Sequence, residues 1–511
     1  MKPLEMNPYS NMTSKEQQVK NSFIYLLPVI VGELLPFVTI PIFTRILTPE
    51  DFGALALAQV CALFVAGLAN FGMTVAYERN YFQYREDRLK SAQLLYSILL
   101  FVLLNFLLLA GLTYLARGIL SKLVISSARY EEVLFGSVCA QLFIVANYYY
   151  LIYFRNSEAA KSNVGYTVVG IIINFILSLF LVGYLRAGIM GIVYAQLSSG
   201  AIVFGILSYK FLRFLPLSVN KTVFTESLRI AAPLTPKALL GVVGTQFDKY
   251  LAGVLISVGG AGIYSIGQKI SYAVFAYMTA IQNVFTPPVY RKMFEQKEKG
   301  GEAIGRYLVP FAYVSIAMAL LVALFSEEAI VILTPSSYHA AIDIVAVLSM
   351  YYGSTFFAKV AGQQLIFAKK THITSVLAVA GIGLNIGLCI PFAMKWGVPG
   401  VAWAMLLSGL ISGVLSFFIS QHYYEIKWDY KGMGAIHLLF FGSSLLMILL
   451  RHANVDYYYR VVVKWASLTA YGYLGFQLKI INAATFALAK SAAKSIFGKP
   501  GLSVADKGTT L

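Results

Sequence analysis

Long apolar runs, separated by short charged segments, alternate along almost the whole chain. An α-helix needs about 20 predominantly apolar residues to cross the hydrocarbon core of a bilayer. The runs reach about that length, so the pattern predicts fourteen transmembrane helices joined by short loops. The predicted spans are 22–43, 52–77, 92–116, 133–154, 164–185, 187–208, 229–257, 260–285, 307–326, 340–367, 372–394, 398–421, 433–450 and 458–478.

The composition agrees with this fold class. Of the 511 residues, 58% are hydrophobic and 12% are charged, and the mean hydropathy is +0.71. Soluble domains contain about 25% charged residues, so the chain has no room for a sizeable soluble domain. Residues 1–21 are polar and carry both signs of charge. They do not resemble a signal peptide, and the first span is expected to remain in the mature protein.

The basic residues predict the orientation of the chain. The net charge is +17, and Lys and Arg accumulate in the cytoplasmic loops of membrane proteins. With the N-terminus in the cytoplasm, roughly 27 of the 40 basic residues lie on the cytoplasmic side and roughly 8 on the opposite side. Fourteen crossings return the C-terminus to the cytoplasm. The positive charge therefore needs no nucleic-acid partner to explain it.

A weak repeat relates the two halves of the chain. The first half has Pro28, then Arg45, then a Gly and a Gln six residues apart over 53–59. The second half has Pro233, then Lys249, then the same Gly and Gln spacing over 262–268. The seventh span starts on the same side as the first, so the repeat is parallel, as in many transporters. Chance similarity between apolar segments is the alternative.

Three stretches resemble a known family. They are Pro41–Gly53, then Gln246–Gly253 followed by Ala261–Ser265 with Gln268 and Lys269, and finally Ser326–Ala341. In order and position they are similar to the helix ends of the polysaccharide exporters of the multidrug/oligosaccharidyl-lipid/polysaccharide (MOP) exporter superfamily. The resemblance covers residues 20–425.

The resemblance implies two six-helix lobes that enclose a central cavity and alternate between inward-open and outward-open states. Wzx-type members flip an undecaprenyl-diphosphate-linked oligosaccharide, such as an O-antigen or exopolysaccharide repeat unit, across the bacterial inner membrane. The expected divisions are a cytoplasmic N-terminal segment (1–21), an N-terminal lobe (22–208), a cytoplasmic linker (209–228), a C-terminal lobe (229–422), helices 13 and 14 (423–480) and a cytoplasmic basic tail (481–511).

Ionisable side chains inside a bilayer are energetically costly, so each one is a candidate for function. An anionic lipid diphosphate with a polar sugar would be stabilised by a cavity lined with cations and amides. Snorkelling of the lysines to the interface is the alternative, and for the amides it is hydrogen bonding between helices. The predicted cavity residues are Lys237, Lys249, Lys269, Arg79, Lys359, Asn147, Gln246 and Asn283.

Two carboxylates, Glu33 and Asp248, are candidates for ion or proton coupling. A structural ion pair for Asp248, or a neutral buried Glu33, is the alternative. The three cysteines and five histidines show no spacing typical of a disulfide or a metal site. We therefore expect neither a metal nor another cofactor.

The leading hypothesis is a lipid-linked oligosaccharide flippase, a transporter rather than an enzyme. Its expected partners are the polyprenyl-diphosphate glycan, the bilayer, a polysaccharide polymerase and a chain-length regulator. A small-molecule exporter on the same scaffold is the first alternative. An integral-membrane polymerase or glycosyltransferase is the second, but it would need a large outer loop, and the predicted loops are short.

Overall fold

The computed structural model describes residues 15–480, and it describes the side chains of residues 27–28, 30–236, 238–297 and 299–480. Within that range the regular elements are helices, without strands. The α-helices are α1 (Lys15–Phe43), α2 (Pro49–Asn70), α3 (Met73–Tyr84), α4 (Arg88–Leu115), α5 (Arg117–Ile125), α6 (Glu131–Asn156), α7 (Ala160–Ser178), α8 (Gly188–Phe214), α9 (Lys221–Ala231), α10 (Thr235–Leu251), α11 (Val258–Gln296), α12 (Gly300–Leu324), α13 (Ser326–Leu333), α14 (Ala341–Phe367), α15 (Thr371–Tyr423), α16 (Tyr430–His452) and α17 (Tyr457–Gln477).

The predicted fold class, an all-α polytopic membrane protein, is confirmed. Ten helical segments in the described part are long and apolar enough to cross a membrane. Each of the fourteen predicted spans falls on one helix or on consecutive helices. The eleventh and twelfth spans share α15, and they meet at Gly397, where the backbone leaves the helical region with φ 63° and ψ −145°.

The second predicted span, 52–77, is divided between α2 and α3. Phe71 and Gly72 separate the two helices and have φ angles of 48° and 70°. A Cβ on Gly72 would lie 2.6 Å from the carbonyl oxygen of Ala231, so glycine suits both the backbone angle and the close approach. The Asn105 amide donates to two carbonyl oxygens in the last turn of α2, at 3.3 and 3.0 Å. This amide satisfies carbonyl groups beside the break in the helix.

The helix that contains the eighth predicted span, α11, is longer than predicted. The sequence predicts a loop from residue 286, whereas α11 continues through Pro287 and Pro288 to Gln296. Its last turns carry Arg291 and Glu295. Hydropathy marks where the apolar surface ends, and a helix can continue beyond that point with polar side chains.

The predicted linker between the sixth and seventh spans contains most of α9, an amphipathic helix. Phe224 packs against Phe101 of α4, with ring centroids 5.1 Å apart. On the next turn, the Asn80 amide of α3 donates to the hydroxyl of Ser227 at 3.0 Å. These contacts attach α9 to the N-terminal half of the chain. The predicted domain divisions themselves stay predictions.

Among the described residues, the three largest clusters of buried apolar side chains hold the helices together. One lies within the N-terminal half and includes Tyr77, Tyr149 and Phe211. A larger one lies within the C-terminal half. A third joins the two halves through Phe52 of α2 and Tyr338, which lies between α13 and α14.

Candidate functional site

Two of the predicted cavity lysines come together at α10 and α11. The ammonium group of Lys249 donates to Oε1 of Gln246, one turn earlier on α10, at 3.1 Å. Lys269 of α11 has an exposed side chain, and its Nζ lies 5.5 Å from the ring centroid of Phe52 on α2. The two ammonium groups are within electrostatic range of each other. We call Lys249, Gln246, Lys269 and Phe52 the lysine site.

The lysine site has an excess of positive charge. Among the side chains that the structure describes, no carboxylate forms an ion pair with Lys249 or Lys269. Asp248 is within electrostatic range of Lys249, but its oxygens bind other groups. Two ammonium groups that repel each other at reduced dielectric attract an anion. A phosphate or diphosphate would accept charge-assisted hydrogen bonds from both.

Asp248 is directed into the C-terminal half of the bundle. Its carboxylate is buried, and Oδ2 accepts hydrogen bonds from Tyr264 at 2.6 Å and from Gln268 at 3.3 Å, both on α11. It lines a cavity of about 360 Å³ between α10, α14 and the two halves of α15. Asn385 and Ser408 line the same cavity, and their side chains are 3.1 Å apart. Asp248 and Lys249 are adjacent on α10, but Asp248 faces the C-terminal half of the bundle and Lys249 belongs to the lysine site.

Lys359 lies apart from the lysine site, in the contact between α14 and α11. Its Nζ donates to Gln282 at 2.8 Å and to Thr279 at 3.3 Å, and it lies 4.9 Å from the ring centroid of Phe275. Asn283 is the exposed neighbour of Gln282 on α11. These polar side chains extend along α11 toward the inner end, the end predicted to face the cytoplasm.

The other predicted residues are dispersed. Glu33 is partly exposed on α1 and within electrostatic range of Tyr272 on α11. Arg79 is exposed at the inner end and donates to Asn80 at 2.7 Å. Asn147 is buried, and its amide donates to the carbonyl oxygen of Gly200 on α8 at 3.0 Å. Lys237 lies on α10, but its side chain is outside those that the structure describes.

The three family-like stretches of sequence meet at the outer end, the end predicted to face away from the cytoplasm. Tyr338 donates to the carbonyl oxygen of Leu47 at 2.8 Å, and its ring packs edge-on against Phe52, with centroids 5.9 Å apart. Thr44 donates to the carbonyl oxygen of Leu333 at 3.4 Å. We call this region the outer seal, and it consists of Thr44, Leu47, Phe52, Gly53, Gly262, Leu333 and Tyr338.

At the centre of the outer seal, α2 and α11 cross at the two glycines of the sequence repeat. A Cβ on Gly53 would lie 1.7 Å from the carbonyl oxygen of Val258, four residues before Gly262. A Cβ on Gly262 would lie 1.9 Å from the carbonyl oxygen of Pro49, four residues before Gly53. The contact is reciprocal, as it would be if an approximate twofold axis passed between the glycines. Equivalent positions of the predicted repeat therefore touch each other.

A further group of charges was not identified as a site from the sequence. Lys464 of α17 is fully buried, and its Nζ lies 2.5 Å from Glu328 and 3.4 Å from Glu327 of α13. Arg460 also binds Glu327, at 2.8 Å. We call these four residues the ion cluster. The ion cluster joins α17 to α13, which lies between the ninth and tenth predicted spans.

Phe52 and Tyr338 were also missed as functional candidates, because aromatic residues at helix ends are common in membrane proteins. The signal that could have identified them was their position inside two of the family-like stretches. Those stretches contain the residues of the outer seal, whereas most of the predicted cavity residues lie outside them.

Comparison with known proteins agrees with this fold. Residues 18–294 match the family described as polysaccharide biosynthesis protein. No curated protein sequence is significantly similar to the chain.

Several solved structures share the fold. The lipid II flippase MurJ, in an inward closed conformation, is 15% identical with a TM-score of 0.66, over 91% of this chain and 100% of MurJ. An inward-facing multidrug resistance MATE family transporter is 16% identical with a TM-score of 0.58, over 78% of this chain and 97% of the transporter. A MOP superfamily transporter from Pyrococcus furiosus is 16% identical with a TM-score of 0.55, over 81% and 98%. With a family match over more than half of its length, this chain belongs to the polysaccharide biosynthesis protein family of the MOP superfamily.

Proposed function

We propose that this protein is a flippase that moves an undecaprenyl-diphosphate-linked oligosaccharide between the leaflets of the bacterial inner membrane. The lysine site carries the proposal, because it presents two cations, neither paired with an acid among the described side chains, between helices of the two halves of the chain. Such a site suits a ligand that is anionic and has no positive charge of its own. It does not suit organic cations.

The physical demand on a flippase explains why a diphosphate site would lie here. Transfer of a charged, hydroxyl-rich head through hydrocarbon exposes groups that water no longer solvates, at a cost of several kcal/mol each. Lys249, Lys269 and Gln246 would replace part of that hydration. The lipid tail would remain in the bilayer, so the protein needs to accommodate only the polar head.

The test is translocation by the purified full chain in liposomes that contain a fluorescent undecaprenyl-diphosphate oligosaccharide. A glycosidase that cannot cross the membrane reports the lipid that reaches its side. We expect the Lys249→Met, Lys269→Met double variant to lose at least about tenfold in rate, the factor expected for one lost charge-assisted hydrogen bond. Lys431→Met, an exposed lysine at the start of α16, is the matched control and should translocate at the wild-type rate.

Two results would contradict the proposal. One is an unchanged rate in the double variant. The other is a wild-type protein that leaves the glycolipid in place but accumulates small organic cations, which is the behaviour of an exporter on the same scaffold.

Coupling to an ion or proton gradient is a second part of the proposal, and Asp248 is its principal candidate. The Asp248 carboxylate borders a cavity that also holds the oxygen atoms of Asn385 and Ser408, and it lies one residue from Lys249. We expect Asp248→Asn, which keeps the size of the side chain, to make the translocation rate independent of an imposed proton or sodium gradient. Glu33→Gln is the parallel test on α1. A gradient dependence that survives in both variants would exclude these carboxylates from coupling.

The proposed setting follows from the proposed substrate. Both termini would be cytoplasmic, and the carried glycan would be an O-antigen or exopolysaccharide repeat unit. A polysaccharide polymerase and a chain-length regulator would then act on the translocated product.

A further inference from the structure

We propose that Lys269 and Phe52 form a latch that holds the outer seal closed and is released when an anion binds at the lysine site. This inference rests on the proposed function, because it assigns to the lipid diphosphate a second role as the signal for opening. The observation that supports it is that one side chain, Phe52, belongs both to the lysine site and to the outer seal.

On its seal side, Phe52 is part of a tightly packed group. It lies in the first turn of α2, it is 3% exposed, and it precedes Gly53 at the crossing with α11. Its ring meets Tyr338, which in turn binds the carbonyl oxygen of Leu47. A shift of the Phe52 ring would therefore disturb the contacts on both sides of the seal.

On the side of the lysine site, Phe52 is the aromatic partner of Lys269. The contact joins α2 to α11 across the crossing, since the ammonium belongs to one helix and the ring to the other. Among the described side chains, Lys269 has this ring and no hydrogen-bond acceptor or carboxylate against its ammonium group. The repulsion from Lys249 acts on the same group.

An arriving anion would compete with the ring for this ammonium group. A charge-assisted hydrogen bond to a phosphate oxygen is stronger than a cation–π contact at a partly exposed site. The anion also removes the repulsion between the two lysines, so both effects favour transfer of Lys269 from the ring to the ligand. Loss of the contact removes one of the links between α2 and α11 and weakens the closed state.

The experiment measures closure of the outer seal directly. Arg45 and Ser337 are exposed, lie on opposite sides of the seal and line one outer pocket. Arg45→Cys and Ser337→Cys are introduced together into the full chain, with Cys61, Cys139 and Cys389 replaced by Ala. The rate of cross-linking by a short bifunctional thiol reagent then reports how long the seal stays closed. The ligand is undecaprenyl diphosphate, with the uncharged undecaprenol as its control.

We expect Phe52→Leu to lower the ratio of closed to open seal about fivefold without ligand, the factor that corresponds to one cation–π contact, and therefore to slow cross-linking. Undecaprenyl diphosphate should slow cross-linking in the wild type by a similar factor, should have little further effect in Phe52→Leu, and undecaprenol should have none. Lys269→Met, in which the ring packing is intact, should behave as Phe52→Leu.

Phe275→Leu is the matched control, because Phe275 is the ring partner of Lys359 and lies away from the outer seal. Equal ligand-free rates in the wild type, Phe52→Leu and Lys269→Met would overturn the latch. A wild type that binds undecaprenyl diphosphate, seen as a rise in its thermal midpoint, but keeps its cross-linking rate would also overturn it. Absence of binding would instead contradict the proposed function, while the ligand-free comparison would still decide whether the contact holds the seal.

Discussion

Lys269 and Lys464 both enter predicted transmembrane spans, and the structure places them in opposite circumstances. Lys464 is fully buried, and two glutamates of α13 lie within 2.5 and 3.4 Å of its ammonium group. Lys269 is exposed, and the described side chains place an aromatic ring and another lysine near it, with no acid in ion-pair contact. The charge of Lys464 is thus neutralised by glutamates in the ion cluster, whereas the charge of Lys269 at the lysine site has no described acid to neutralise it.

The difference indicates how to distinguish structural from functional charges in a membrane protein. A paired buried charge holds two elements together, and its removal leaves the partner without compensation. An unpaired charge contributes little to the folded state, so a role in ligand binding is the better explanation for its presence. The predictions below concern the free energy of unfolding, measured by SDS titration in detergent micelles, in order of decreasing effect.

The largest loss of stability is expected for Lys464→Met. The substitution removes a fully buried ammonium group from two partly exposed glutamates, of which Glu327 keeps Arg460, so the loss should be about 3 kcal/mol, the lower end of the range for a broken buried pair. The variant Lys464→Met with Glu328→Gln removes one charge of each sign, keeps the pair between Arg460 and Glu327, and should recover most of the loss. If the single variant unfolds like the wild type, the ion cluster is not a structural contact.

The next largest loss is expected for Gly262→Ala. The new methyl group would lie 1.9 Å from the carbonyl oxygen of Pro49, so α2 and α11 must move apart. Overpacking of this kind costs about 1–3 kcal/mol. Gly241→Ala is the matched control, because no atom lies within 4 Å of a Cβ at that position. A Gly262→Ala protein as stable as its control would show that the helices are not in close contact there.

Tyr338→Phe tests a single hydrogen bond of the outer seal. It keeps the ring against Phe52 and removes the bond to the carbonyl oxygen of Leu47, at a cost of about 1 kcal/mol. Cross-linking between Arg45→Cys and Ser337→Cys should slow in parallel with the loss of stability. A faster rate would place the hydrogen bond in the open state instead.

The smallest effect on stability is expected for Lys269→Met, at most about 1 kcal/mol, the contribution of one exposed cation–π contact, which the loss of repulsion from Lys249 partly offsets. Translocation of the glycolipid should nevertheless fall steeply, and Lys269→Arg should restore part of it. This variant decides the comparison with Lys464. Should Lys269→Met unfold as readily as Lys464→Met, the two lysines would both be structural.

The sequence predicts the framework well because hydropathy reports directly on the surface that faces lipid. The sequence also predicts the repeat, which stays a prediction, although the structure brings its two glycines into contact. It does not predict the break at Phe71 and Gly72 or the continuation of α11 to Gln296. The break depends on what another helix supplies, the Asn105 amide for the carbonyl groups beside it, whereas α11 continues with polar side chains beyond the apolar surface that hydropathy detects.

The charged residues show the same limit more clearly. Lys464, Lys359 and Lys269 look alike in the sequence, since each is a lysine within an apolar run. Their roles separate only when the neighbours are known: two glutamates for Lys464, two hydrogen-bonding side chains for Lys359, and a ring for Lys269. Those neighbours lie 77 or more residues away along the chain, and one sequence does not state such pairings.

The crossing of Gly53 and Gly262 also makes α11 a lever with unequal arms. From Gly262 the helix extends about 51 Å to Gln296 but only about 6 Å back to Val258, at 1.5 Å per residue. A rotation of about 10° about the crossing would move the long end by about 9 Å and the short end by about 1 Å, on the same helical rise. Contacts in the outer seal would then need to yield by only an ångström to accompany a large displacement at the inner end. Hydrogen bonds and close contacts between glycines change strongly in energy over one ångström. The outer seal is therefore suited to act as the pivot of α11.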